Sequence, residues 1–409
     1  MGKVWFVAGG LGAAVTSLAV AQWTVTNLHP AGSSYSRAHG VSGNQQVGVA
    51  RIGTERASMW SGTPESWTNL HPAGAYQSAA WDIDHGRAVG SISISPSPFD
   101  FRAAMWNGSA ASYVGLHPVN AWYSVAYGVE GNIQVGAAAV GGGNLRAGTW
   151  AGTAASFADK QPVQDPLDPT PIAQSEFYGI RDGVLVGYWF RKPTPPIVML
   201  GTQFSNSSFD DLTPRSSPFP ESPVNCNIDM TSRGQHVGFV DFSESERHAV
   251  LWSDGQVIDL SPAGSSSSWG QGIWRGQQVG YATFDVQRAV LWNGSAASWV
   301  DLHAFVPATF TSSSARGIWS DRFATSVVGW GRNGATNRTE ALLWTRQSCW
   351  ADLTRNEMVD DEDFSLFASA YDAMVCPALL CPADLDDNGL VDDADFVIFL
   401  AAYETLLCP

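Results

Sequence analysis

Near the carboxyl end of this 409-residue chain, Asp384, Asp386, Asn388, Asp392 and Asp395 stand at positions 1, 3, 5, 9 and 12 of a twelve-residue stretch with Gly389 at position 6. A hard divalent cation needs roughly six to eight oxygens converging on one point. This alternation of short side chains, completed by the main-chain carbonyl of Leu390, supplies them around a sharp bend at the glycine. The pattern reads as a calcium loop, so Ca2+ is the expected cofactor. Asp at the last position, where Glu is usual, shortens the reach and points to a weaker site than a high-affinity buffer. The same register recurs 32 residues upstream at Asp352, Thr354, Asn356, Met358 (through its carbonyl), Asp360 and Asp363. Position 6 of that copy is Glu357, for which a left-handed backbone costs about 1–2 kcal/mol, and Thr354 replaces a carboxylate. The first loop is expected to bind more weakly than the second. The plain alternative is an acidic, solvated tail that holds no ion.

Each loop is followed by an apolar segment, Phe364 to Val375 and Phe396 to Leu407, that reads as a helix, and each has a cysteine 13 residues past its last ligand. Two loop-helix copies of this kind resemble a type I dockerin module over residues 349–409. The resemblance implies a small all-α, calcium-binding domain that docks into a cohesin-like or cell-surface protein. It also implies that the pairs Asp361-Glu362 and Asp393-Ala394 help to choose that partner. Cys349, Cys376, Cys381 and Cys408 allow two symmetric disulfide pairings: Cys349–Cys376 with Cys381–Cys408, or Cys349–Cys408 with Cys376–Cys381. A two-fold loop-helix pair sets the end of each helix beside the start of the other loop, which favours the second. Its long bridge would contribute roughly 4 kcal/mol by loop closure.

The rest of the chain offers less obvious chemistry. His29, His71 and His117 fall in Leu-His-Pro triplets, with His303 in a similar place. Equivalent sites in separate repeats cannot converge on one metal ion, so they read as turn residues. Cys226 has no neighbouring cysteine and reads as a buried, inert thiol. No Gly-x-Ser-x-Gly, His-Glu-x-x-His or phosphate loop occurs. The recognition candidate is a set of small polar residues, Ser36, Ser78, Ser124, Ser175, Asn225, Ser268 and Ser313, expected at the entrance of a central channel. Beside them stand Tyr35, Tyr76, Trp122, Tyr123 and Trp269, aromatic faces suited to stacking on sugar rings. The connections 159–174 and 212–224 enlarge the same face, residues 160–224 holding 11 of the 22 prolines, and stiff loops on a rigid scaffold read as binding loops.

What must position these residues is one repeated unit. From Trp23 to Trp344 a Val-Gly pair recurs at Gly48, Gly90, Gly136, Gly187, Gly238, Gly280 and Gly329, spaced by 42 to 51 residues. A Trp closes the third segment at positions 60, 106, 150, 252, 292 and 344, with Met199-Leu200 read as its counterpart in the fourth unit. Four short β-branched and aromatic runs per unit, separated by Gly, Asn, Asp or Ser, predict four antiparallel strands. Periods of this length with four strands predict propeller blades. The first segment, Trp23 to Leu28, is a lone fourth strand and the last unit stops after its third, so the ends should complete one blade and close a ring. The expected fold is all-β, a seven-bladed β-propeller over residues 22–348. Its motifs, Gln235-His236-Val237-Gly238, Arg247-His248-Ala249-Val250-Leu251-Trp252 and Ile258-Asp259-Leu260, resemble extracellular HAF-type repeats, which implies a secreted propeller and names no activity.

Charge divides the chain at the same boundary: residues 349–409 carry −13 of the formal −16. Neither side of it has a basic stripe, which disfavours nucleic-acid binding. Residues 1–21, with Lys3, an uncharged run from Val4 to Leu18 and Ala19-Val20-Ala21, read as a signal peptide, and no other stretch is long and apolar enough for a membrane span. Together these readings favour an exported or cell-surface binding protein, with a possible glycan on the propeller face. The alternative is a polysaccharide hydrolase or lyase anchored in the same way.

Overall fold

The computed structural model describes residues 23–404 apart from 98–99, 162–163, 166–167, 192–198, 206–207, 215–217, 220–222, 244–245, 322–323, 348–349, 355–357, 374–382 and 387. Seven antiparallel sheets surround one axis. In chain order their first strands are Ser36–Ser42, Gln77–Asp84, Ala121–Glu130, Asp168–Arg181, Asn225–Ser232, Ser267–Trp274 and Phe310–Ser320. These seven pack side by side, the last against the first, and form the inner wall of the ring. The N-terminal strand Thr24–Asn27 pairs with Arg338–Gln347 and becomes the outer strand of the seventh blade, so the ring closes as expected.

The repeated glycine has a local cause. In every first strand a β-bulge lies opposite the Val-Gly pair, and it draws the two strands together. A Cβ added to Gly48 or Gly90 would fall 2.0 Å from the carbonyl oxygen of Arg37 or Ala79, a distance no side chain tolerates. Between the blades the core is built from the closing tryptophans, Trp60, Trp106, Trp150, Trp292 and Trp344 being almost wholly buried, against small alanines of the inner strands.

Three expectations change. In the fourth blade Thr202 pairs with Gly187, which puts Phe204, not Met199-Leu200, in register with the closing tryptophans. In the fifth blade Cys226 pairs with Val240, two past the Val-Gly glycine, and therefore holds the place read for Asn225. The connection 159–174 is not a plain loop: Gln164–Asp165 adds a fifth strand to blade 4, paired with the start of Asp168–Arg181.

The C-terminal region holds two helices, α1 (Asp361–Ala373) and α2 (Asp393–Tyr403). Their cores face one another, with Phe367 stacked on Phe399 at 4.6 Å. The 32-residue repeat appears as pseudo-two-fold pairing: Tyr371 Oη donates to Asp393, and its counterpart Tyr403 Oη to Asp361. Among the described residues no helix is long and apolar enough to cross a membrane.

Candidate functional site

The serines read as a channel entrance are structural. Ser36, Ser78 and Ser124 are buried, and each Oγ accepts from a backbone N–H of the adjoining blade: Ala341 at 2.9 Å, Ala57 at 2.8 Å and Ala103 at 2.9 Å. Each also meets Nδ1 of the Leu-His-Pro histidine seven residues earlier, His29, His71 or His117, at 2.7–2.8 Å. The histidine Nε2 faces a main-chain carbonyl in all three, so it carries the proton; Nδ1 is then the acceptor, and the serine hydroxyl donates to it. Burial holds these histidines below their ordinary pKa, in keeping with a neutral ring. Other blades vary the pair: Ser175 with Gln161, Ser268 with Ser261 and Ser313 with His303. Cys226 takes the serine's place with Thr213 nearby, and burial pushes its thiol up to about 12, which leaves it inert.

The aromatic candidates divide. Tyr76 and Trp122 are 43% and 47% exposed, and Tyr123 packs against Phe101 and Trp122. Tyr35 lies between the guanidiniums of Arg37 and Arg51. Trp269 is turned inward: its Nε1 donates to Asp229 Oδ2 at 2.7 Å and Arg247 covers its ring at 4.6 Å. It is no open sugar-stacking face.

In the C-terminal region the second loop closes on itself as its sequence requires. Gly389 adopts φ +89°, the bend that a residue with a side chain would resist. Carboxylate oxygens of Asp384, Asp386 and Asp395 lie within 4.8 Å of one another. Asp384 and Asp395 are buried, and backbone N–H groups orient them: Gly389 donates to Asp384 at 2.9 Å, and Leu385, Asp386 and Asp392 donate to Asp395 at 2.6–3.0 Å. Asn388 Oδ1 caps Leu390 N–H, and Asp392 starts α2 as its N-cap. The first loop repeats some of this plan. Asp363 is fully buried and accepts from Thr354 and Asp360 N–H, while Thr354 Oγ1 donates to Asp352. Met358 is partly exposed. Asn356, Glu357 and all four tail cysteines, Cys349, Cys376, Cys381 and Cys408, lie outside the described residues, as does the segment 1–21.

The region rests on the propeller face formed by the turns between first and second strands. The Arg275 guanidinium, in the sixth blade's turn, lies 3.5 Å from the Trp350 ring centre. Burial and the like charge of Arg233 push Arg275 down to about 9, and Asp384 of the second loop opposes the shift.

Sequence reading missed the residues that line the axis. Three places after each buried serine or Cys226 stands the bulge residue, which faces the channel. One arc is aromatic, His39, Trp81, Tyr127 and Tyr178, and the other polar, Asp229, Gln271 and Arg316. The signal was present as the one repeat position whose chemistry differs in nearly every copy, between an apolar or glycine residue on one side and, in most blades, a glycine on the other.

No protein-family model matches this chain, and no curated protein matches it. Solved structures are similar in fold. The β-propeller domain of the Trilobed protease from Pyrococcus furiosus aligns with TM-score 0.48 and 9% identity, over 77% of this chain and 97% of that one. A Mycobacterium tuberculosis puromycin-hydrolyzing peptidase aligns with TM-score 0.45 and 13% identity over 80% of this chain, and a prolyl endopeptidase with 0.47 and 10% over 78%. This chain spans only 56% and 51% of those two peptidases.

Proposed function

We propose that the protein is an exported binding propeller of the HAF-repeat kind, carrying a calcium-loaded, dockerin-like module that attaches it to a cohesin-like or other extracellular partner. One observation carries the reading: the Asp384, Asp386 and Asp395 carboxylates converge, ahead of a helix that pairs pseudo-symmetrically with its copy. Ca2+ would be held there by these three with Asn388, the Leu390 carbonyl and Asp392, and it would neutralise a concentration of charge that otherwise repels itself. Exposed Trp122 with Tyr123 against it, and separately exposed Tyr76, are the aromatic surfaces offered to a glycan. Calorimetric titration of the full chain with Ca2+ tests the metal site. Two sites of unequal strength are expected, the stronger lost in Asp395→Ala; absence of any saturable heat at millimolar Ca2+ sinks the reading. Capture of one extracellular protein in Ca2+ but not in chelator tests the attachment.

A further inference from the structure

The channel residues enclose a cavity of about 70 Å³ on the axis, walled by the ends of the first strands and bordered by Arg181 and Trp274 near their turns. By the share of liquid volume one water takes, that is room for a few waters, which suits a small ligand. We propose that it is a binding site for a small zwitterion, a ligand of amino-acid size that carries an ammonium and a carboxylate.

The cavity is charged in a particular order around the axis. Trp81, Tyr127 and Tyr178, from the second, third and fourth blades, form a continuous aromatic wall with ring centres 6.2 and 4.8 Å apart. A carboxylate stands at each end of that wall, Asp82 beside Trp81 and Asp229 on the fifth blade. Aromatic faces bracketed by carboxylates attract an ammonium through both ring quadrupole and charge. Across the axis, Arg316 of the seventh blade faces in, with Gln271 beside it turned so that its oxygen accepts from Arg316 Nη1 at 2.9 Å. A guanidinium there receives a carboxylate and repels a ligand that is only a cation.

No direct ion pair joins Asp229 to Arg316 or Asp82 to Arg181 among the described residues, and each arginine offsets its carboxylate only through space. Asp229 is held by neutral donors, Trp269 Nε1 at 2.7 Å and Asn227 Nδ2 at 3.1 Å, and Asp82 accepts from Val129 N–H at 3.0 Å. Arg181 makes its ion pair with Asp84, at 3.4 Å. Burial pushes both Asp82 and Asp229 up to about 6 against the opposing pull of Arg181 and Arg316, as expected of carboxylates with incomplete compensation. The repeat argues the same way. The neighbouring inward position is a small alanine in four of the seven blades, Ala38, Ala80, Ala126 and Ala315, because packing there is the same in each. A purely structural axis gives no reason for the next position to run through histidine, tryptophan, tyrosine, aspartate, glutamine and arginine.

This inference does not depend on the calcium site. Its test is titration of the full chain with glycine, proline and glycine betaine, with tetramethylammonium and acetate as single-charge probes, read by calorimetry and by tryptophan fluorescence. Saturable binding of at least one zwitterion is expected, with both single-charge probes at least about tenfold weaker. Asp229→Asn and Arg316→Gln should each weaken it about tenfold or more. If either fails to fold, Trp81→Leu, which loses no indole hydrogen bond, removes one aromatic face without touching a charge and should also weaken binding. No zwitterion binding up to about 10 mM, equal binding of tetramethylammonium, or variants that bind like the parent would each overturn the proposal.

Discussion

Ser124 Oγ holds the third blade to the second by accepting the Ala103 N–H while donating to His117. Ser124→Ala would leave a buried N–H and a buried ring nitrogen unmatched, a loss of about 1–3 kcal/mol in denaturant unfolding. Cys226→Ser, which restores the residue type used in the other blades, should cost much less. The histidine partners make the same latch sensitive to acid. A histidine whose folded pKa is lowered contributes stability that is complete above its ordinary value of 6.5, and it is lost as pH falls below that, because the unfolded chain then takes up the proton first. His71→Gln places at this latch the residue type that blade 4 uses. Its stability relative to the parent should therefore improve steadily as pH drops below 6.5, as measured by urea unfolding across pH. Asp82 and Asp229, with raised values, shift stability in the opposite direction, so only the difference between the two chains isolates the histidine.

At the level of strands, two kinds of glycine should respond very differently. Gly62 sits at φ +85° with nothing within 4 Å of an added Cβ, so Gly62→Ala should cost about 1–2 kcal/mol, the strain of the left-handed backbone alone. Gly90→Ala drives a methyl onto the Ala79 carbonyl at 2.0 Å and must push adjacent strands of the blade away from each other; a loss of about 3 kcal/mol or more is expected in the same assay. This contrast also explains what was legible in the sequence. The Val-Gly pair and the closing tryptophan answer packing demands that recur in every blade, so their spacing revealed the blade count and the closing strand. Blade 4 broke the pattern where its register shifted onto Phe204. The serines were visible as a repeat, but only the neighbouring blade's N–H explains them, and no spacing along one chain shows a partner in the next sheet. The channel residues differ from blade to blade, which hid them from a search for repetition. The acidic loop from Asp384 to Asp395, whose candidate donors all lie within twelve residues, needed no tertiary knowledge.

For the molecule as a whole, two seams decide whether it behaves as one unit. The ring is closed by Thr24–Asn27, with Trp23 and Leu28 buried beside that strand. Removing residues 23–28 should expose the edge of Arg338–Gln347 and produce self-association, visible by light scattering. The other seam lies where the C-terminal region meets the propeller, and there Trp350 carries the contact with Arg275. A partly desolvated cation–π contact contributes up to about 2 kcal/mol, enough to couple two folding units. Trp350→Ala should therefore leave the propeller's melting temperature in place and release a second, lower transition in calorimetry. If the second loop binds Ca2+, that lower transition alone should rise with the ion, by about 2.7 kcal/mol at a hundredfold excess over the dissociation constant. A single unsplit transition in the variant would mean that the seam is held by contacts other than Trp350. A propeller transition that moved with Ca2+ would place the ion's effect in the ring instead of in the loop built from Asp384, Asp386 and Asp395.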